Sequence, residues 1–147
     1  MAWIRNVPAP ALWLGLGGLL PFVGLALRAK LGSAEVHTTS LVALLQYAAL
    51  IITFVGALHW GYAVAGVAAR APASLRYGWS VLPSLLAWWS LQLPLNAGLL
   101  LQAGLLVLCW LVDRWLLLPD ARLAWMASLR LLLTCVAVAS LGVAGLS

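Results

Sequence analysis

The 147-residue sequence holds few side chains able to do chemistry: three acids, eight lysines and arginines, and two histidines. His59, Asp113 and Arg130 lie inside apolar runs, where each is costly unless it faces other protein. Asp113 and Arg130 make the obvious charge pair, because a lone arginine there would be expensive and Asp113 is the nearest acid on an adjacent run. The other reading of Arg130 is a side chain that snorkels to the headgroups. His59 offers an imidazole for proton or ligand handling, or more plainly a histidine bonded across two helices. With Trp60 and Trp88 these three form a candidate intramembrane polar site.

Other chemistries lack their residues. There is no H-E-x-x-H, no G-x-S-x-G and no phosphate-cradling glycine loop, so no catalytic residue is assigned and an enzyme is not the expected reading. Two histidines and three carboxylates at these separations do not supply a metal set, and none is assigned. His37 and His59, about 33 Å apart on a continuous helix, could not bind one haem from it. Which cofactor, if any, is bound stays open. The basic residues Arg5, Arg28, Lys30, Arg70, Arg76, Arg114, Arg122 and Arg130 are scattered singly, which speaks against nucleic acid despite a net charge of +5. Cys109 and Cys135, inside apolar runs, read as small buried hydrophobes.

The elements that must position these groups follow from composition. Apolar residues make up 65% and charged residues 7%, with a mean hydropathy of +1.09. A soluble domain needs roughly 25% charged residues, so the surface of this one is expected to meet lipid. Backbone in lipid must satisfy itself within its own segment, and the runs lack the period-two alternation of barrel strands. The expectation is an all-α integral membrane bundle of about five transmembrane helices forming one domain. The spans are placed at approximately 10–28, 41–67, 79–93, 97–116 and 123–146. Residues 81–112 are nearly uncharged and too long for one crossing of a core of about 30 Å, so Pro94 and Asn96 are read as the break. A cleaved signal peptide is the rival reading of the first run, whose length argues against it.

Helical spacing proposes inward stripes. On the second span Ala49, Ile52, Gly56, His59, Ala63 and Gly66 share an arc; on the third, Ser84, Trp88 and Gln92; on the fourth, Gln102, Cys109 and Asp113; on the fifth, Arg130, Thr134 and Ala137. Gly17, Pro21 and Gly24 offer a smooth face on the first. Close helix packing is expected at Gly17, Gly24, Gly56, Gly61, Ala63 and Gly66. Five spans put Arg5, Arg70, Arg76, Arg114 and Arg122 on the N-terminal side, against Arg28 and Lys30 on the other. That bias predicts an N-terminus inside. Trp3, Trp79, Trp115 and Trp125 fall near the inner boundary as belt residues, while Trp13, Trp60, Trp88, Trp89 and Trp110 lie deeper, as packing or ligand-facing groups.

The stretch Tyr47–Tyr62, Y-A-A-L-I-I-T-F-V-G-A-L-H-W-G-Y, resembles the motif Y-x-x-x-I-x-x-F-x-G-x-x-H-W-G of an uncharacterised multi-pass membrane family, domain of unknown function 3429 (transmembrane protein sixty-nine-like). Residues 81–88, Asp113, and Leu129-Arg130 with Thr134 look like its remaining landmarks, so the resemblance covers most of the chain. It picks out Gly56, His59, Trp60, Gly61, Pro83, Trp88, Asp113 and Arg130, and implies a small protein of bacterial inner membranes, or of mitochondria, with no activity attached.

Two functional readings remain. The first is a scaffold or accessory subunit whose small-residue faces and tryptophans dock other membrane subunits or a second copy. The alternative is a bundle that binds an amphipathic lipid, quinone or porphyrin in a pocket around His59, Trp88 and Arg130. Membrane lipids are the expected partners in both.

Overall fold

The computed structural model describes residues 7–117 and 124–146. Trp3, Arg5 and Arg122, used above for belt and orientation, lie outside the described residues. Six helical segments follow in order: α1 (Ala9–Gly17), α2 (Leu19–Leu31), α3 (Ala34–Val64), α4 (Ala73–Ser90), α5 (Leu95–Leu117) and α6 (Ala124–Gly145). Gly18 keeps helical dihedrals between α1 and α2, so the two act as one membrane-length unit over Ala9–Leu31. That unit, α3, α5 and α6 are long and apolar enough to cross a bilayer, and α4, with Arg76, Ser80 and Pro83, runs between them as the least apolar member. The protein is an integral membrane helical bundle, with no strand among the described residues.

Helix α3 begins at Ala34, seven residues before its apolar run. The polar stretch before that run is helical, and its hydroxyls are satisfied within the helix: Thr38 donates to Ala34 O (3.2 Å), Thr39 to Glu35 O (3.0 Å) and Ser40 to Val36 O (2.6 Å). His37 Nδ1 lies 3.0 Å from Ala29 O and ties the turn to α2. With 31 residues, α3 measures about 46 Å and must tilt or protrude. It ends earlier than expected, at Val64, and Gly66 explains why. At φ +66° Gly66 takes the left-handed conformation that closes a helix, while Gly66 N–H bonds Ala63 O (3.2 Å) and Val67 N–H bonds Tyr62 O (2.9 Å). Gly66 is therefore a helix stop rather than a packing residue. In the second hairpin α4 closes at Ser90 and Pro94 precedes the first turn of α5; Asn96 is already helical and exposed.

Helix α3 is central, packing on α2, α4 and α5 and only lightly on α6, which leans on α2 and α5. Gly56 allows the α3–α4 contact: a Cβ there would sit 3.1 Å from Pro83 Cγ and 3.3 Å from Ser80 O. The first unit turns Phe22, Ala26 and Ala29 inward, with the Phe22 ring edge-on to Tyr47 at 5.2 Å. Gly17 and Gly24, expected to pack, are exposed with open space around them, and the same holds for Gly61. Small residues occur on both faces of this unit, Gly15 and Gly18 against Gly17 and Gly24, and packing of Phe22 decides between them. Ala63 is only half-buried.

Candidate functional site

One carboxylate joins three helices. Asp113, near the end of α5, accepts from His59 Nε2 of α3 through Oδ1 (2.7 Å) and from Arg130 Nε of α6 through Oδ2 (2.7 Å). Both distances suit charge-assisted bonds. A carboxylate only accepts, so the His59 hydrogen sits on Nε2. His59 is 0% exposed, and Asp113 and Arg130 are 8% each. Such a group, desolvated as a unit, is tolerable because the acid and guanidinium compensate and the imidazole fills the second carboxylate oxygen. The pair of Asp113 with Arg130 is present, so Arg130 does not snorkel alone. Three residues of the candidate site thus come together.

Trp60 and Trp88 do not join them. Trp60 is 52% exposed and packs edge-on to Tyr77 at 4.9 Å; Trp88 is 62% exposed on the outer face of α4. On α4 the inward face is set by Pro83 against Gly56, and Ser84, one turn before Trp88 on another face, donates to Val81 O at 2.6 Å. Its hydroxyl is satisfied by its own helix, so the Ser84–Trp88–Gln92 stripe can face outward. The buried stripe of α4 is Arg76, Ser80, Pro83, Ala87 and Ser90. There Gln102 of α5 donates to Ser90 Oγ (2.8 Å), which donates to Ala87 O (2.6 Å). Arg76 donates to Val67 O (2.9 Å), holding the α3–α4 loop against the first turn of α4. Trp13 and Trp89 also face outward, while Trp110 lies half-buried under the Arg114 guanidinium, 5.9 Å from the ring centre.

A cleft of about 560 Å³ opens between the α1–α2 unit, α3 and α6. It lies where α3 and α6 barely touch. Its walls are apolar, with Phe22, Ile51, Leu58, Trp125 and Leu133 among them, and Leu14 and Phe54 at its exposed edge. Arg130 and Thr134 also line it, and Arg130 Nη2 and Thr134 Oγ1 have no hydrogen-bond partner among the described residues. Tyr62 closes one side by donating to Met126 Sδ at 3.1 Å. Thr134 lies on the stripe expected from the sequence, Trp125 of the expected belt also lines the cleft, and Tyr62 and Met126 are lining residues that periodicity did not single out. Tyr62 closes the His-Trp-Gly motif and was the one available signal. His59 is not among the lining residues. Among the described residues no group of three histidines, cysteines or acids comes together as a metal ion would need.

Comparison with known proteins agrees with this architecture. "Transmembrane protein 69" of Xenopus tropicalis is 33% identical over 141 residues, covering 94% of this chain and 54% of that protein. The chain therefore spans about half the length of the curated relative it matches. No solved structure matches it. A family model described as a protein of unknown function, DUF3429, matches residues 7–146, and the chain belongs to that family.

Proposed function

We propose that the protein holds an amphipathic molecule in the cleft between its first unit, α3 and α6, and that the His59–Asp113–Arg130 group serves to fix Arg130 in the cleft wall. The observation that carries this is the coincidence of an apolar cleft of about 560 Å³ with two polar atoms in its wall that have no partner among the described residues, Arg130 Nη2 and Thr134 Oγ1. Pockets for small molecules fall in this volume range and combine apolar walls with a few placed polar groups. A porphyrin is the least suited of the three candidate ligands: the one imidazole near the site has Nε2 bonded to Asp113 and lies outside the lining.

The scaffold reading rests on a different surface. Trp60, Trp88 and Trp89 stand outward on α3 and α4, where another membrane subunit or a second copy would meet them. Lipid alone also satisfies such residues, which is why the cleft is the stronger observation. The proposed location is the bacterial inner membrane, with the mitochondrial inner membrane as the other setting.

The test is chemical extraction of gently purified protein followed by mass spectrometry, with an absorption spectrum of the same sample. The reading expects one amphipathic species retained well above its share of the surrounding lipid. Retention of bulk lipids in bulk proportion, together with a stoichiometric second subunit, would replace it with the scaffold.

A further inference from the structure

We infer that the molecule in the cleft has a neutral head bearing an oxygen acceptor, such as a carbonyl or ester, and not an anionic head; this rests on the ligand-binding reading above. Arg130 alone would make an anion site, but the charge count argues otherwise. Its charge is already matched by Asp113, 2.7 Å from Nε. The remaining question is whether His59 adds a positive charge. His59 Nε2 donates to Asp113 Oδ1, and Nδ1 is buried without a partner among the described residues. A second proton on Nδ1 would be a buried donor with nothing to bond, whereas the neutral ring leaves only a bare lone pair there. With the ring neutral, the group carries no net charge. A buried anion beside it would lose its hydration with no net counter-charge to repay it, while a neutral oxygen would gain donors at little cost.

Geometry fits the same head. Met126, Arg130 and Thr134 follow one another a turn apart on α6, all lining the cleft. Arg130 Nη2 and the Thr134 hydroxyl supply two donors and the rest of the wall is aliphatic or aromatic, so the head docks at this stripe and the apolar body lies along Phe22, Ile51 and Leu133. Both donor atoms are covered by the wall itself. Met126, unbranched and adaptable, is the side chain that yields to admit the head.

Three probes that share one chain separate the outcomes: methyl palmitate, hexadecane and hexadecanesulfonate, titrated into the detergent-solubilised full chain and counted by native mass spectrometry. Methyl palmitate should bind roughly tenfold tighter than hexadecane, the worth of a hydrogen bond to a charged donor in a dry site, and the sulfonate should bind no better than hexadecane. Thr134→Val should bring methyl palmitate toward the level of hexadecane while leaving hexadecane binding and the melting temperature in place. Arg130→Lys, which keeps the charge but lacks the second donor of the planar fork, should do the same if it folds. Sulfonate binding as tight as the ester overturns the neutral-head inference and leaves the cleft reading standing. Equal binding of ester and hexadecane overturns the polar subsite at Arg130 and Thr134. Failure of all three probes removes the ligand-binding reading itself.

Discussion

Arg130 Nε of α6 lies 2.7 Å from Asp113 Oδ2 of α5, and both side chains are buried in a bundle that exposes aliphatic side chains together with Trp13, Trp60, Trp88, Trp89 and Trp115. Burying either alone would be prohibitive, so each position constrains the other. Asp113→Ala or Arg130→Ala should each cost about 3 kcal/mol or more, because the partner is stranded. The double variant should lose clearly less than the sum of the two. Unfolding in detergent, read as a double-mutant cycle, measures this, and additive losses would show that the contact carries no coupling.

His59 completes the carboxylate, and its role is to donate from Nε2. His59→Leu leaves Asp113 Oδ1 without a donor and should cost about 1–3 kcal/mol. His59→Gln presents an amide N–H at a similar reach and should restore much of the loss, whereas the shorter His59→Asn should not. Equal stability of all three variants would contradict a donor role. Binding of any retained ligand should fall with His59→Leu only as far as Arg130 is displaced, since His59 itself does not line the cleft.

Legibility of the site in the sequence differed from helix to helix, for physical reasons. On α5 the polar groups Gln102, Cys109 and Asp113 stand on one arc of an otherwise aliphatic helix, and all three are buried. On α6 the same holds for Arg130 and Thr134. Helix α4 offered two polar stripes, and composition could not choose between Ser84 with Trp88 and Arg76 with Ser80. Whether a serine bonds its own helix does not decide it, since Ser80 (to Tyr77 O, 2.6 Å) and Ser84 (to Val81 O, 2.6 Å) both do. What settles the face is Pro83 against Gly56, a contact between helices that periodicity does not contain. The cleft was illegible for a related reason: it arises from the separation of α3 and α6, and no single helix carries it.

Orientation follows from the basic residues. Arg70 and Arg76 sit where α3 gives way to α4, and Arg114 lies in the last turn of α5, at the same end of the bundle; Arg28 and Lys30 close α2 at the opposite end. Positively charged connections stay inside, so the α3–α4 loop should be cytoplasmic, or face the matrix in an organelle, and the α2–α3 turn should be on the far side. Cysteine accessibility at Ser33 and at Ala69, each introduced singly and labelled from one side of intact cells, should give opposite results. Labelling of both from the same side would break the five-span arrangement.

Gly98 and Gly24 make opposite predictions from the same residue type. A Cβ on Gly98 would lie 2.7 Å from Ser90 O, a backbone atom that cannot swing away, and 3.1 Å from Leu45 Cδ1. Gly98→Ala must therefore push α5 from α4 and from α3 and strain the hydrogen bond from Gln102 to Ser90, which is 2.8 Å long. The cost should be about 1–3 kcal/mol, the usual penalty for overpacking a tight contact. Gly24 has nothing within 4 Å of such a Cβ. Gly24→Ala should be neutral or gain up to about 1 kcal/mol from helix propensity. Melting temperatures of the two variants in one detergent decide the matter. A destabilised Gly24→Ala would mean that this outward face of α2 is packed against another protein, since nothing among the described residues opposes the added methyl group.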